Sequence, residues 1–483
     1  MGEELRLTLG WVADAVGGRL RSGDRGRDVG NVAIDTRMLG PGDFFVALRG
    51  LRVDAHDFVA EAFQKGAIGA MVERGFAGSA ARDPASVLRQ ADGEGPSDAA
   101  AVLEVDDTTR ALQDLAHAVR KASGTRVVAI TGSAGKTTTK EAIADFLSGR
   151  FRVVRNKGNL NNHIGLPLSL LQLRECPDVA VMELGMNHAG EIGTLVAIAE
   201  PDTRVWTNVG DAHIGFFASP DAIADAKAEI LERAGRDAVL VCNADDSRVM
   251  SRVGAFPGRT LTFGSSDRAD VRACDIQSLG LDGTRARMVT PAGERQIHTP
   301  LLGLGNLANV LAATAVALDF GTPLDDIVGI AARLEAPDRR GAVHRLRGGI
   351  VLVDDSYNSS PSALAAALDV VAGETRMPRK VAVLGEMLEL GEHTLALHRN
   401  AGRAAAAAGL RLLFAIGGAP ARALADAAIE AGMAASAVRY VGASEPVARD
   451  VAAAIHPGDL VLVKGSRGVR TDVVADRIAA DFA

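Results

Sequence analysis

Residues 126–146, RVVAITGSAGKTTTKEAIADF, decide how the rest of this chain is read. Val127, Val128, Ala129 and Ile130 make an apolar run too short for a helix and right for a buried strand, after which Thr131-Gly132-Ser133-Ala134-Gly135 turns the chain. From Thr137 onward, Ala142, Ile143, Phe146 and Leu147 recur at helical spacing, so the turn opens onto a helix N-terminus. A strand, a glycine turn and a helix start in that order cradle phosphate. Backbone amides and the helix dipole from Gly132 to Thr138 favour an anion, Lys136 reaches terminal phosphates, and the Thr137 hydroxyl is placed to ligate Mg²⁺. The loop is a TGxxGKTTT variant, with Ile130 where the general phosphate loop has another glycine. The competing reading is a glycine turn with an incidental lysine.

Composition bounds what surrounds this loop. A chain of 483 residues exceeds one core and implies about three domains. Its formal net charge of -7, without a basic run, argues against a nucleic-acid surface while allowing a local positive pocket. Cys176, Cys242 and Cys274 lack metal-ligand spacing and read as reduced residues of a cytoplasmic protein. The start has no basic region followed by an apolar stretch, and no apolar run approaches membrane-spanning length. Neither export nor membrane insertion is expected.

Along the chain, 8–16 predicts a short helix, 32–37 a strand ending in Asp35, Thr36 and Arg37, 44–48 a buried strand, and 58–65 a helix. Asp35, Thr36 and Arg37 either ligate a polar group or cap turns. The stretch 78–97 reads as a surface loop, and 108–121 as a helix, placing the first boundary near Asp106. Beyond the phosphate loop, 178–183 is a strand that delivers Glu183 to the edge where ligands of parallel sheets gather, suiting Mg²⁺, and 204–208 is a second such strand. Asn159, Asn161 and Asn162 precede an apolar helix over 164–173; they cap it or line a phosphate or sugar pocket. His213 is followed by a helix over 219–233 carrying Lys227, antiparallel strands over 270–299, and a helix over 303–320 bearing Asn309. Strands at 350–354, 380–384, 411–416, 438–441 and 459–463, each followed by a helix, imply a doubly wound parallel sheet. The expected organisation is α/β in three parts: 1–106, 107–336 with the phosphate loop and a mostly parallel sheet, and 337–483, Rossmann-like. A nucleotide site facing a second α/β domain with charged strand ends implies that another reactant is brought to ATP or GTP. A switch GTPase and a nucleotide-gated binding module are the alternatives; Asn159 replaces the Asp of a guanine-specifying NKxD.

The motifs together resemble the bacterial Mur ligase family. The likeness runs from Asp35-Thr36-Arg37 and 41–48, through TGxxGKTTT, 159–162, Glu183-Leu184-Gly185-Met186-Asn187-His188 and Ala226-Lys227-Ala228-Glu229, to 354–358, 385–392 and Lys464-Gly465-Ser466-Arg467. The last three segments favour the member that adds D-alanyl-D-alanine to UDP-N-acetylmuramoyl-tripeptide, with a sibling adding a single amino acid as the alternative. The resemblance implies an acyl phosphate made with ATP, a monomer, and a UDP-binding N-terminal module holding Asp35, Thr36 and Arg37. It implies two Mg²⁺ ions, one on Thr137 and Glu183 and the other on His213 and a carbamate of Lys227, with Lys136, Lys227 and His213 catalytic. Asn309, Arg340 and Asp355 would meet the nucleotide, and Asn159, Asn161, Asn162 and Asn358 the substrates. Gly305, Ser360 and Gly215 depart from the family's usual His, Asn and Glu.

Overall fold

The computed structural model describes residues 4–76 and 100–483, and the stretch 78–97 lies outside the described residues. Around the opening run, the apolar residues Val127 to Ile130 have no solvent exposure inside the strand Arg126–Thr131. Each Val or Ile so buried contributes roughly 1.5–3 kcal/mol. Gly135 then sits in the left-handed region, φ 81°, and the helix Lys136–Ser148 starts at the next residue, burying Ala142, Ile143, Phe146 and Leu147.

Chain contacts divide the molecule into two compact units. One comprises Met1–Ala129, Phe151–Gly185 and Gly193–Asp202; the other comprises Ile130–Arg150, Met186–Ile192 and Thr203–Ala483.

The first unit holds a five-stranded sheet ordered Arg19–Ser22, Ala101–Val105, Gly69–Glu73, Phe44–Val46, Val32–Ala33, with only the outermost Arg19–Ser22 pairing antiparallel. Its core packs Phe45, Ala47, Val59, Ala62 and Val72. The strand expected over 32–37 stops at Ala33. Asp35 accepts from the Arg37 amide at 2.9 Å and starts a 3-10 turn, Thr36–Met38, because a short carboxylate bonding its own neighbouring backbone competes with the sheet ladder. The same unit carries the parallel pair Val153–Arg155 and Val179–Glu183. The helix expected over 164–173 is α-helical only over Gly165–Leu170, tightening to a 3-10 turn over Leu171–Glu175.

In the second unit, Thr203–Trp206, Val239–Asn243, Arg259–Gly264 and Val271–Ser278 run parallel, and Thr284–Thr290 and Gly293–Thr299 continue antiparallel. The helix expected over 219–233 ends at Ala228 and passes into a 3-10 turn, Glu229–Leu231. A six-stranded sheet follows, ordered Ala342–Arg345, Val351–Asp355, Asp459–Lys464, Arg379–Gly385, Leu412–Ile416, Val438–Val441. The expectation of an all-parallel sheet is corrected at its first strand, Ala342–Arg345, which pairs antiparallel with Val351–Asp355. Its exposed, polar His344 and Arg345 hid it from an apolar-run reading. Val381, Val383, Phe414, Val461 and Val463 pack beneath Val447, Val451, Val474 and Ile478. Among the described residues no helix is long and apolar enough to cross a membrane.

One ion-pair network ties this last sheet's layer to the preceding hairpin turn. Glu374, 1% exposed, accepts from Arg376 Nη2 at 2.6 Å and from the Leu281 amide at 3.2 Å, while Asp282 meets Arg345 at 2.8 Å. The Arg376 guanidinium holds the Glu374 carboxyl down at about 2, from an ordinary 4.5. A carboxyl depressed on folding stabilises above its unfolded pKa, and that stability is lost as pH falls from 4.5 towards about 2. Glu374→Gln is therefore expected to cost about 2–3 kcal/mol at pH 7, discounting for the half-exposed Arg376. In urea unfolding, its deficit against the parent chain should shrink to about 1 kcal/mol near pH 2.5; a deficit constant with pH would refute the assignment.

Candidate functional site

The phosphate loop is shaped by the strand beside it. Thr207 Oγ1 donates to Ala134 O at 2.8 Å, and Asn208 clasps the same residue, accepting from its amide at 2.9 Å and donating to its carbonyl at 3.1 Å. Ser133 donates its amide to Asn208 O at 3.1 Å and its hydroxyl to Gly210 O at 3.2 Å. Gly132 must be glycine, since a Cβ there would lie 1.9 Å from Thr207 Oγ1. Lys136 Nζ donates to Gly132 O at 2.8 Å, so its ammonium lies over the turn. Thr137 and Thr138 are buried, and no side chain caps this helix N-terminus. Asn309, buried on the helix Gly303–Asp319, stacks on the turn so closely that a Cβ on Gly135 would meet its Oδ1 at 2.1 Å. It donates to Asn306 at 3.0 Å, whereas Gly305 faces open space.

Lys227 is in the same unit and only 2% exposed. Burial first, then the charge of Lys136, pushes its pKa well below the ordinary lysine value. Burial of this kind disfavours the ammonium relative to the uncharged amine. On the other unit, Glu183 is 4% exposed and accepts from Asn161 Nδ2 at 2.9 Å. Asn156 brackets its backbone, accepting from Glu183 N at 2.9 Å and donating to Glu183 O at 3.0 Å. Asn162 caps the following helix through Gly165 N at 2.8 Å, and Asn159 is exposed. Among the described residues no group of three or more His, Cys, Asp or Glu stands together as a metal site. What bears on a metal here is the buried carboxylate of Glu183, a hard oxygen donor.

A cleft in the second unit brings together Ala212, His213, Tyr357, Asn358, Glu389 and Arg467. His213 has a left-handed backbone, φ 65°, and its Nδ1 lies 2.5 Å from Glu389 Oε2. Gly215 N donates to Glu389 O at 2.9 Å, and a Cβ at Gly215 would sit 2.4 Å from Gly391 N. That contact explains the departure at Gly215, because a larger residue has no room. Arg340 lies 4.1 Å from the Tyr357 ring centroid and Arg467 lies 5.8 Å from it, a cation on an aromatic face in each case. Lys464, 3% exposed, pairs with Asp355 at 2.6 Å and donates to Asn358 O at 3.0 Å. Ser360 sits at the cap position of the helix Pro361–Gly373 and lines the cleft.

Asp35, Thr36 and Arg37 stand in the first unit. Asp35 pairs with Arg37 at 2.5 Å, Thr36 Oγ1 donates to Glu61 at 2.9 Å, and the Arg37 side chain is largely exposed. Their local bonds are caps, with the guanidinium left reachable. Sequence reading passed over Thr207, Asn208, Tyr357 and Glu389 as site residues. For Thr207 and Asn208 a signal existed, polar groups ending an apolar strand; Tyr357 and Glu389 lie in 354–358 and 385–392, segments that carry the resemblance but were not resolved to these residues.

Family models match three stretches: Mur ligase family, catalytic domain, over 28–120; Mur ligase middle domain over 130–317; and Mur ligase, glutamate ligase domain, over 339–467. The chain is 33% identical over 476 residues to UDP-N-acetylmuramoyl-tripeptide--D-alanyl-D-alanine ligase of Bacillus subtilis, covering 98% of this chain and 99% of that protein. A crystal structure of MurF from Acinetobacter baumannii superposes with a TM-score of 0.85 at 30% identity, covering 99% of this chain and all of that one. MurF ligase from Thermotoga maritima in complex with ADP superposes at 0.78 and 28% identity, covering 93% of this chain and 97% of that one. The glycine turn clasped by Thr207 and Asn208 and the buried lysine Lys227 fall inside the matched middle domain, and the likeness runs from end to end: the chain belongs to the Mur ligase family.

Proposed function

We propose that this chain is the ATP-dependent ligase that adds D-alanyl-D-alanine to UDP-N-acetylmuramoyl-tripeptide, releasing ADP and phosphate. The observation that carries this reading is the end-to-end match to proteins of that name, which covers nearly the whole of both chains. The tripeptide's terminal carboxylate attacks the γ-phosphorus of ATP, the bond to the β-phosphate oxygen breaks, and ADP leaves with an acyl phosphate formed. The dipeptide's amine then attacks the acyl carbon, phosphate departs and the amine loses a proton. Negative charge builds in both steps, and Lys136 at the glycine turn is assigned to neutralise it. Gly132, Ser133, Ala134, Gly135, Thr137 and Thr138 are assigned to the phosphates, and Asn309, Arg340 and Asp355 to the rest of the nucleotide.

Mg²⁺, when bound, supplies positive charge to phosphate oxygens. Thr137 and Glu183 are each assigned a place in its shell. His213 and a carbamate on Lys227 are assigned to a second ion. The carbamate forms when the neutral amine adds to CO₂ and releases a proton, and its negative charge suits the neighbouring Lys136 better than an ammonium would. Asp35, Thr36 and Arg37 are assigned to the UDP end, and Asn159, Asn161, Asn162 and Asn358 to the substrates. Residues 1–106 are assigned to the UDP substrate, 107–336 to ATP, and 337–483 to the C-terminal Rossmann-like domain. Because the reaction would consume ATP and a UDP-linked precursor, the protein is assigned to the cytoplasm.

The test is omission. ADP and phosphate are expected to form in step with the ligated product, identified by mass, when ATP, the UDP-tripeptide and the dipeptide are all supplied. Comparable phosphate release without acceptor or without dipeptide would overturn the ligase reading in favour of a nucleotide-gated module.

A further inference from the structure

Glu389 comes from the loop following Arg379–Gly385, outside the stretch that carries the phosphate loop and Lys227, yet it faces His213 across the cleft. Three of the bonds that pin this loop lie at 387–389. Met387 N donates to His398 Nε2 at 3.0 Å, Leu388 N donates to Ser466 Oγ at 2.9 Å, and Glu389 O accepts from Gly215 N at 2.9 Å. His398 is wholly buried, and its Nδ1 lies 2.7 Å from Thr394 O, which sets the tautomer with Nε2 as acceptor. Glu389 and His213 are both non-glycine residues with left-handed backbones, φ 64° and 65°, and their side chains meet at 2.5 Å. Left-handed conformations at such residues persist where surrounding contacts enforce them, and they gather at functional sites. The backbones approach so closely that Gly215 and Gly391 leave no space for a Cβ at 215.

We infer that Glu389 is a positioning residue for His213: among the described residues the buried Nδ1 has no aligned hydrogen-bond partner, Glu389 Oε2 is the acceptor within reach at 2.5 Å, and turning the ring onto that carboxylate gives it the Nδ1 proton as a hydrogen bond and leaves Nε2 as the electron-pair donor towards a cation. The inference rests on the proposed assignment of His213 to a metal ion. A ligating histidine is commonly oriented by a carboxylate on its other nitrogen, and removing such a partner typically weakens metal binding by about 10–100-fold. The consequence is that the C-terminal sheet supplies an orienting group for a ligand that belongs to the nucleotide-binding part of the chain.

The experiment measures Mn²⁺ binding by electron paramagnetic resonance on the full chain, with a non-hydrolysable ATP analogue and bicarbonate, alongside ¹⁵N-histidine spectra of the metal-free protein. Glu389→Ala is expected to weaken the second Mn²⁺ by about 10–100-fold and to release His213 from a pure Nδ1–H tautomer into a mixture. Glu389→Gln keeps an acceptor oxygen and should recover part of both effects at an unchanged melting temperature. Second-ion affinity in Glu389→Ala within about twofold of the parent, below the range for an orienting carboxylate, would overturn the inference. So would equal losses in both variants that track a fall in melting temperature. If the parent chain binds no second Mn²⁺, the metal assignment of His213 and this inference fall together, while product formation by that same protein would still uphold the ligase reading.

Discussion

Replacing Lys227 by alanine is expected to lower the ligation rate by about 10²–10³-fold while the protein remains folded. Lys227 is buried, its amine is driven towards neutrality by burial and by Lys136, and nothing about a solvated surface cation would produce that environment. As a carbamate it would place an anionic oxygen donor where acyl-phosphate charge develops, and loss of one such electrostatic contact costs on the order of 2.7–4 kcal/mol. The truncated side chain leaves a space suited to a small carboxylate. Formate or acetate at high concentration should therefore restore part of the rate in Lys227→Ala, and should do nothing for Lys136→Ala, where the missing charge is positive. Steady-state rates with increasing acetate make the comparison. Near-parent turnover in Lys227→Ala, or equal rescue of both variants, would remove the carbamate assignment.

The second large effect is expected at Gly132. Its φ of 151° is one that side chains rarely adopt, and an added methyl would meet Thr207 Oγ1 at 1.9 Å, with Asn208 N at 3.2 Å behind it. Gly132→Ala must displace the Thr207 hydroxyl from Ala134 O, deforming the turn that presents amides to phosphate. Backbone strain of about 1–3 kcal/mol and overpacking of about 1–3 kcal/mol add to a loss of roughly 10²-fold or more in ATP affinity. Gly305→Ala, with nothing within 4 Å of its Cβ, is the control and should bind ATP as the parent does. Calorimetric titration with ATP distinguishes them; equal affinities in the two variants would mean that the turn is not shaped by Thr207.

Much of this architecture could be read before any coordinates because its signals are local. The strand Arg126–Thr131 is uninterrupted apolar sequence closed by glycines, and the helix after it repeats at 3.6 residues, so periodicity located both. The five parallel strands of the last sheet were found in the same way, within a residue or two. Where local signals were weak the reading slipped. Ala342–Arg345 is a half-exposed edge strand without an apolar run, and the segment at 32–37 broke because Asp35 preferred its own backbone to the ladder.

The sequence by itself determined the fold class and the strand, glycine turn and helix around Lys136 and Thr137, which follow from spacing within a short stretch, and the family, which follows from a resemblance running along the chain; it was that resemblance, not spacing, that singled out Lys227. Tertiary structure alone decided that Lys227 is buried near the charge of Lys136, that Thr207 and Asn208 shape the glycine turn, and that Glu389 meets His213. Those facts depend on residues separated by tens to hundreds of positions. No periodicity records them, because burial and close contact are properties of how distant segments pack, and the shift in a lysine's pKa exists only once water has been excluded from around it.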